Sequence, residues 1–328
     1  MLSQLMQSYR PVDPSKMRAG DFLFVQRGIE QAKIDRIAAG SGWHDVEVCP
    51  LCGDRIGRKY EFTKNAVGYV RCSTCDVRYS LCIPTNLDDV YASPDYLSYS
   101  VDETDEAYNY RKERFGRERV GILERYCGDL QSKRLLDVGC GNGYFLSVAK
   151  EKCQHCYGME FSTKLREFAQ RKTGLPIFTQ DLDSLPELGF DIITLFDVLE
   201  HIPDPMPFMR SVDRLLNPGG GVLIFTPNFD SFSVRVMKEY SSIVDPTEHV
   251  VLYTRDSLHY LAAMMKYSVV YEETRGMDVV NILSLQDYFG ERKDAILVER
   301  GDELQAMIDA AQCGDYGRIM LRKGEAHG

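Results

Sequence analysis

The sequence predicts an α/β protein whose parallel sheet is covered by helices on both faces and preceded by a small cysteine-bearing module. Three observations predict it. From Arg134 onward, apolar strand-like runs alternate with helical ones, the pattern of a sheet buried on both sides. The first run, Arg134-Leu135-Leu136-Asp137-Val138, turns through Gly139-Cys140-Gly141-Asn142-Gly143 into a helix, and glycines there let backbone approach a ligand closely. Ahead of it, Cys49-Pro50-Leu51-Cys52 and Cys72-Ser73-Thr74-Cys75 stand nineteen residues apart, a spacing that suits a four-thiolate metal site.

Composition bounds the rest. Hydrophobic residues make up 44% and charged residues 27% of 328, ordinary for a globular protein. No apolar run reaches the roughly 18 residues that span a membrane. The start, Met1 to Gln7, has no basic stretch leading into an apolar one, so no signal peptide is expected and the cytoplasm is the expected location. Ten cysteines in that setting suggest reduced thiols and a metal rather than disulfides. A net charge of −10 disfavours wholesale nucleic-acid binding.

Taken in order, residues 1–45 hold a helix from Val25 to Ala39, stopped by Gly40-Ser41-Gly42. Residues 46–84 form the cysteine module. Residues 85–112 are acidic and rich in tyrosine (Tyr91, Tyr96, Tyr99, Tyr108, Tyr110). They read either as a lid or acceptor-contact surface, since aromatic faces stack on rings, or as packing between domains. Residues 113–328 form the main domain. It opens with a helix from Glu113 to Tyr126, with Phe115, Val120, Ile122, Leu123 and Tyr126 as its apolar positions. Strands are expected at 134–138, ending at 160, at 177–179, 190–196, 221–226, 268–273 and 317–322. Helices are expected at 144–151, 163–173, 206–216 and 256–265.

The glycine spacing separates two kinds of nucleotide site. A dinucleotide turn wants G-x-G-x-x-G, but here the glycines fall at 139, 141 and 143 and Tyr stands at 144. With Asp137 two residues ahead, the turn resembles motif I of class I S-adenosylmethionine-dependent methyltransferases. Phe196-Asp197-Val198-Leu199-Glu200-His201-Ile202-Pro203-Asp204-Pro205 and Leu216-Asn217-Pro218-Gly219-Gly220 resemble later segments of the same superfamily. The likeness covers about residues 113–275, with four motifs in order.

That resemblance implies a Rossmann-like seven-stranded sheet whose last, antiparallel strand is Gly317 to Arg322, leaving 277–315 as a helical insert. It implies S-adenosylmethionine as cofactor. Glu160, 21 residues after Gly139, would take both ribose hydroxyls, and Asp181 would face the adenine amine. Gly139, Cys140, Gly141 and Gly143 would expose backbone to the methionine end, while Asp137, Phe161, Leu182, Phe196 and Asp197 complete the cofactor-binding set. Two of these residues have a plainer reading: Asp137 as a residue that only fixes the turn, and Asp181 as a helix cap.

The sulfonium methyl is already electrophilic, so alignment is the main task, with a nucleophile held about 3 to 3.5 Å away in line with the sulfur. A hydroxyl acceptor must also lose a proton, and histidine suits that role. His201 follows the fourth strand and His249 lies in Asp245-Pro246-Thr247-Glu248-His249. By the resemblance, the 200–201 pair helps hold the cofactor pocket and His249 faces the substrate as the preferred base. Either could instead be a satisfied buried imidazole.

Cys49, Cys52, Cys72 and Cys75 can give four sulfurs to one tetrahedral zinc ion, with Gly53 and Asp76 where tight turns are needed. Four thiolates leave no open position, so the metal is expected to be structural; an iron–sulfur or redox role is the lesser alternative. Cys82 is a spare. Cys153-Gln154-His155-Cys156 repeats the spacing without a matching pair and reads as coincidence.

A zinc-ribbon-like module before such a core resembles enzymes that modify sugars, polysaccharides and natural products. The expected acceptor is a small molecule, a hydroxyl of a sugar, nucleotide-sugar or natural-product intermediate. Sugar C-methyltransferases share the module but carry a further large C-terminal domain with no counterpart here, which tilts the expectation toward oxygen. The competing reading is an RNA methyltransferase. The module has Arg55, Arg58, Lys59, Lys64, Arg71 and Arg78 but acidic flanks, whereas RNA binding wants a groove that neutralises several phosphates. The oligomeric state leaves no legible trace.

Overall fold

The computed structural model describes residues 2–16, 22–39, 42–86, 105–179, 181–186 and 188–325. Tyr91, Tyr96 and Tyr99 of the tyrosine-rich stretch lie outside the described residues. Thirteen strands are described in chain order: β1 (Trp43–Asp45), β2 (Arg58–Lys64), β3 (Val67–Cys72), β4 (Arg78–Ser80), β5 (Cys82–Pro84), β6 (Arg134–Val138), β7 (His155–Met159), β8 (Ile177–Phe178), β9 (Phe190–Phe196), β10 (Leu216–Pro227), β11 (Val251–Leu252), β12 (Ser268–Arg275) and β13 (Tyr316–Arg322). They form a seven-stranded sheet, β12-β13-β10-β9-β6-β7-β8, a four-stranded sheet, β11-β4-β3-β2, and the pair β1-β5. The chain clusters into two compact units: residues 1–90, 226–258 and 273–318, and residues 91–225, 259–272 and 319–328.

The second unit carries the body of the seven-stranded sheet. β6, at the middle of the five parallel strands, pairs with β7 on one side and β9 on the other, and β8 and β10 continue outward in parallel. Leu135, Leu136, Ile192, Ile193 and Leu223 are buried completely or almost so, as expected of strands covered on both faces. The helix Thr163–Thr173 is bounded as the sequence implies. Ser162 Oγ accepts the Leu165 N–H, and Gly174 closes the helix in the left-handed region (φ 69°). The helix expected over 113–126 is longer and interrupted, with a helix Asp105–Arg111, a π turn Lys112–Gly116 and a helix Arg117–Cys127. Gly116 has a physical reason to lie there: a Cβ would stand 2.9 Å from Val148 Cγ2 on the helix Tyr144–Ala149. β10 begins earlier than expected, because the Asn217-Pro218-Gly219-Gly220 segment is absorbed as a register irregularity between Leu216 and Gly221.

The first unit is built around the cysteine module. β2, β3 and β4 form an antiparallel meander, and β11 adds to the outer edge of β4. Val67, Tyr69, Phe229, Val234, Ile243, Val244 and Leu252 form one apolar cluster, with Phe62 stacked between Tyr69 and Phe229. The residues between β10 and the helix Arg255–Met264 are therefore part of the module's core. The helical stretch before β13 packs in this unit too. Leu23, Met237 and Ile282 share a small cluster. The buried Asp278 carboxylate accepts the Ser233 and Asp315 N–H groups and the Gln305 amide.

Leu136→Ala is expected to cost roughly 2–5 kcal/mol in urea unfolding, because the cavity opens where the sheet is sealed on both faces. Ile56→Ala, at a side chain 93% exposed, should stay within about 0.5 kcal/mol of the parent.

Candidate functional site

In an open parallel sheet, ligands bind beyond the carboxyl ends of the strands, where the chain turns to opposite sides of a central strand. β6 is that strand: the chain passes from it to β7 on one flank and later returns to β9 on the other. The turn leaving it needs its glycines. Gly139, Gly141 and Gly143 all lie in the left-handed region (φ 67°, 55° and 80°). A Cβ at Gly139 would meet Val198 Cγ2 at 2.8 Å, and one at Gly143 would meet Ala169 at 3.0 Å. Cys140 is buried, its N–H donating to the Met159 carbonyl at 2.9 Å.

The tip of β7 closes on this turn. Glu160 accepts the Gly141 N–H at 2.9 Å with one carboxylate oxygen and the Ser162 N–H at 2.8 Å with the other. Burial raises the pKa of its carboxyl, and these backbone donors oppose the rise. Phe161, next in sequence, is 59% exposed, an open ring beside that carboxylate. Asp137 is wholly buried and accepts the Thr194 hydroxyl at 2.6 Å across the β6–β9 pairing. Burial pushes it up to about 7, eased by that hydroxyl and by the charge of Arg119.

At the end of β9, Phe196 is buried edge-on against Phe145 and Phe225. Asp197 follows in the left-handed region (φ 57°), a conformation uncommon for a non-glycine residue and concentrated at functional sites. Arg119, on the helix Arg117–Cys127, stretches beneath these residues. Its guanidinium lies 4.0 Å from the centre of the Phe196 ring and 5.2 Å from that of Phe225. It hydrogen-bonds the Tyr144 hydroxyl and stands 3.9 Å from an Asp197 oxygen. Its Nε is buried without a partner among the described residues. Arg119 was not legible as a site residue, since an arginine on an amphipathic helix reads as solvated. A charge 9% exposed with one buried donor unmatched is an exception to the usual satisfaction of buried polar groups.

Of the other sequence candidates, Leu182 is buried in a 3-10 turn, Leu182–Ser184, with Asp181 at its N-cap position. Asp181 makes no side-chain capping bond and is exposed. Glu200 is buried and His201 half-buried in the 3-10 turn Leu199–His201 that follows β9. His249 belongs to the first unit. Its Nδ1 lies 2.7 Å from the Ile243 carbonyl. A carbonyl only accepts, so Nδ1 carries a proton and Nε2 is the nitrogen with the lone pair in the neutral ring.

The four cysteines of the first unit converge, with all four Sγ atoms within 4.8 Å of one another. Cys49 and Cys75 are 3.5 Å apart, as are Cys52 and Cys72. A tetrahedral ion with bonds of about 2.3 Å sets such edges near 3.8 Å, so the donor set fits zinc. The two knuckles have the same local geometry. Gly53 and Asp76 donate N–H to the Cys49 and Cys72 carbonyls (2.8 and 3.0 Å), and the Cys49 and Cys72 N–H groups donate to Asp54 and Val77 (both 2.9 Å). Gly53 and Asp76 both adopt positive φ (76° and 64°). The hydrogen bond from Cys75 draws the Cys49 thiol down to about 5 and pushes Cys75 up, while burial pushes Cys52 up to about 12. Ionising all four sulfurs at this range would take a cation among them. Cys82 is a half-buried residue packed against the module's apolar cluster. Cys153 and Cys156 are buried in the other unit's core.

A parallel sheet with a left-handed glycine turn at its central strand and a carboxylate on that turn defines a nucleoside-binding α/β enzyme. Residues 110–271 match a family described as a methyltransferase domain, and that segment is a methyltransferase domain of the S-adenosylmethionine-dependent kind. Among curated relatives, a ubiquinone biosynthesis O-methyltransferase from Idiomarina loihiensis is 26% identical over 199 residues, 58% of this chain and 79% of that one. One from Actinobacillus pleuropneumoniae is 27% identical over 145 residues, 40% of this chain and 59% of its own length, so the chain spans about three fifths of that relative. Magnesium protoporphyrin IX methyltransferase from Synechocystis PCC 6803 shares the fold at a TM-score of 0.50 and 14% identity, over 73% of this chain and 98% of that one. No helix among the described residues is long and apolar enough to cross a membrane.

Because the folded-state pKa of Asp137 is raised above its ordinary 3.8 to about 7, the buried carboxyl is most compatible with folding when protonated. Its contribution is lost as pH rises toward 7. Asp137→Asn should therefore gain stability relative to the parent between about pH 4 and 7 and level off above, read from melting temperatures of the cofactor-free proteins.

Proposed function

We propose that the protein transfers a methyl group from S-adenosylmethionine to a hydroxyl oxygen of a small molecule, of the sugar, nucleotide-sugar or natural-product class, in the cytoplasm. The observation that carries the cofactor assignment is the Glu160 carboxylate on the glycine turn, 2.9 Å from the Gly141 N–H, at the edge where a ribose diol would meet it. Bound S-adenosylmethionine supplies an electrophilic methyl on a sulfonium. The chain's own residues then have to hold, orient and deprotonate.

In this reading Glu160 takes the ribose hydroxyls and the exposed Phe161 ring stacks on the adenine, with Asp181 and Leu182 closing its far side. Gly139, Cys140, Gly141 and Gly143 leave backbone open to the methionine end. Asp137 braces the turn through Thr194, and the unmatched Arg119 guanidinium takes the methionine carboxylate. Phe196 and Asp197 flank the sulfur, with His201 beside them. His249 removes the acceptor proton through Nε2, since its Nδ1 is occupied by a carbonyl. Oxygen as acceptor is supported by the printed names of the relatives, which are O-methyltransferases.

The RNA reading is less well supported. Of the module's cations, Lys64 and Arg78 are buried in ion pairs with Glu30 and with Asp76 and Asp230, and Arg71 pairs with Asp76. A phosphate-binding groove would need those charges outward. Zinc in the Cys49-Cys52-Cys72-Cys75 site is structural in this account, stabilising a module too small to hold itself by apolar burial alone.

Methyl transfer from labelled S-adenosylmethionine to a panel of nucleotide-linked sugars and hydroxylated small molecules tests the proposal, with retention on RNA at varied salt as the competing outcome. On whichever acceptor is methylated, His249→Ala should lower turnover about a hundredfold or more while leaving S-adenosylhomocysteine affinity within twofold. Equal turnover would remove His249 as the base. Metal analysis of Cys49→Ser/Cys72→Ser should show the loss of about one zinc per chain, and an unchanged content would refute the site.

A further inference from the structure

We propose that Lys64, at the end of the module's hairpin strand, is a positioning residue that sets the ring tautomer of His249 by clamping the loop that holds it. The inference rests on the reading of His249 as the base only for its consequence. The clamp itself is a matter of geometry within one unit.

The loop 241–249 has no regular secondary structure, yet almost all of it is buried. Lys64 is 4% exposed and ends β2. Its ammonium donates to the Val244 carbonyl and lies 3.5 Å from the Ser241 carbonyl. Those two carbonyls flank Ile243, and the Ile243 carbonyl receives the His249 Nδ1 proton at 2.7 Å. One cation thus grips the chain on both sides of the carbonyl that fixes the imidazole. Glu30 holds Lys64 in turn, at 3.0 Å, and is tied to the same hairpin by the Asn65 amide at 2.7 Å.

A second lysine secures the other end. Lys33, on the helix Phe22–Ala39, hydrogen-bonds Glu248 and stands 3.9 Å from Asp245. Asp245 accepts the Thr247 N–H and hydroxyl (2.9 and 2.6 Å) and, through its carbonyl, the His249 N–H at 2.8 Å. Glu30, Lys33, Lys64, Asp245 and Glu248 are each no more than 4% exposed.

Five buried ionisable side chains are an expensive way to close a loop. Apolar residues of similar volume would serve as well or better if stability were the only demand. What charges add is direction, since an ammonium reaches carbonyls at fixed places and so specifies one loop conformation. The conformation it specifies puts a proton donor's partner at Nδ1 and the lone pair at Nε2, the form a general base requires.

Selective 15N labelling of histidine reads the tautomer directly, with His249 assigned by comparison with the His249→Gln spectrum. The full chain with its zinc, in the presence of S-adenosylhomocysteine, is expected to show His249 protonated at Nδ1. In Lys64→Met that signature should be lost to a mixture of both tautomers, while zinc content and S-adenosylhomocysteine affinity stay at parental values. Lys64→Met that keeps both of those and still shows His249 protonated at Nδ1 alone overturns the proposal. If Lys64→Met loses zinc or cofactor binding, Lys64→Gln, which keeps a shorter donor without the charge, is read by the same criterion. The tautomer is indifferent to whether His249 does chemistry. A null result with His249→Ala would remove the base and leave the clamp standing, and the reverse outcome would separate them equally well.

Discussion

The hydrogen bond between the Gly141 N–H and the Glu160 carboxylate is the contact on which the cofactor half of the protein depends. It joins the turn after β6 to the tip of β7, and it is possible only because Gly139, Gly141 and Gly143 occupy backbone conformations that side chains resist. The same geometry that admits a ligand's backbone contacts also leaves the turn with little packing of its own. Neighbours supply it: the Asp137–Thr194 bond below, Val198 and Ala169 against the glycine faces, and Cys140 bonded to Met159. The site is therefore a rigid ledge at the switch point of a parallel sheet.

Charge is buried in both units. Around the ledge, charges are few and incompletely matched: Asp137 is pushed up to about 7 by burial, and Arg119 is stacked on rings with Nε unmatched. In the module, Lys33, Lys64 and Arg78 each meet an opposite charge, though burial there also raises Glu30 and Glu248 to about 7 and leaves Arg78 Nε without a hydrogen-bond partner among the described residues. Asp76 shows the pattern: its carboxylate takes Arg71, Arg78 and the Thr254 hydroxyl while its backbone closes a cysteine knuckle in the left-handed region. A residue that shapes the metal turn thereby also anchors the chain entering the helix Arg255–Met264. Cysteine cluster and loop are one construction.

Much of this was legible. Phe190–Phe196 lies where the sequence puts it, because five of its seven residues (Phe190, Ile192, Ile193, Leu195 and Phe196) are bulky and apolar in a short run. The helix Thr163–Thr173 has a capping serine and a terminal glycine, local signals that need no tertiary help. The two C-x-x-C pairs announced a four-sulfur cluster, and the sulfurs converge. Less was legible wherever a polar residue's role depends on a partner distant in sequence. Arg119 looks like any cation on an amphipathic helix. Lys64 looks like a hairpin-end lysine. Its carbonyl partners lie 177 and 180 residues away, and a backbone carbonyl leaves no mark in a sequence.

By itself the sequence determined the alternation of strand and helix, the glycine turn with its acid two residues before and another 21 after, and the pairing of cysteine knuckles. These follow from local conformational preference and from apolar periodicity, which act over a few residues. Only the tertiary structure decided that β11 would edge the module's sheet beside β4, that a lysine from the hairpin would grip the loop bearing His249, and which nitrogen of that ring would hold the proton. Those outcomes come from pairing buried charges and backbone groups across long stretches of chain. Burial makes each such group costly unless a partner is found, and the partner is wherever the fold brings one.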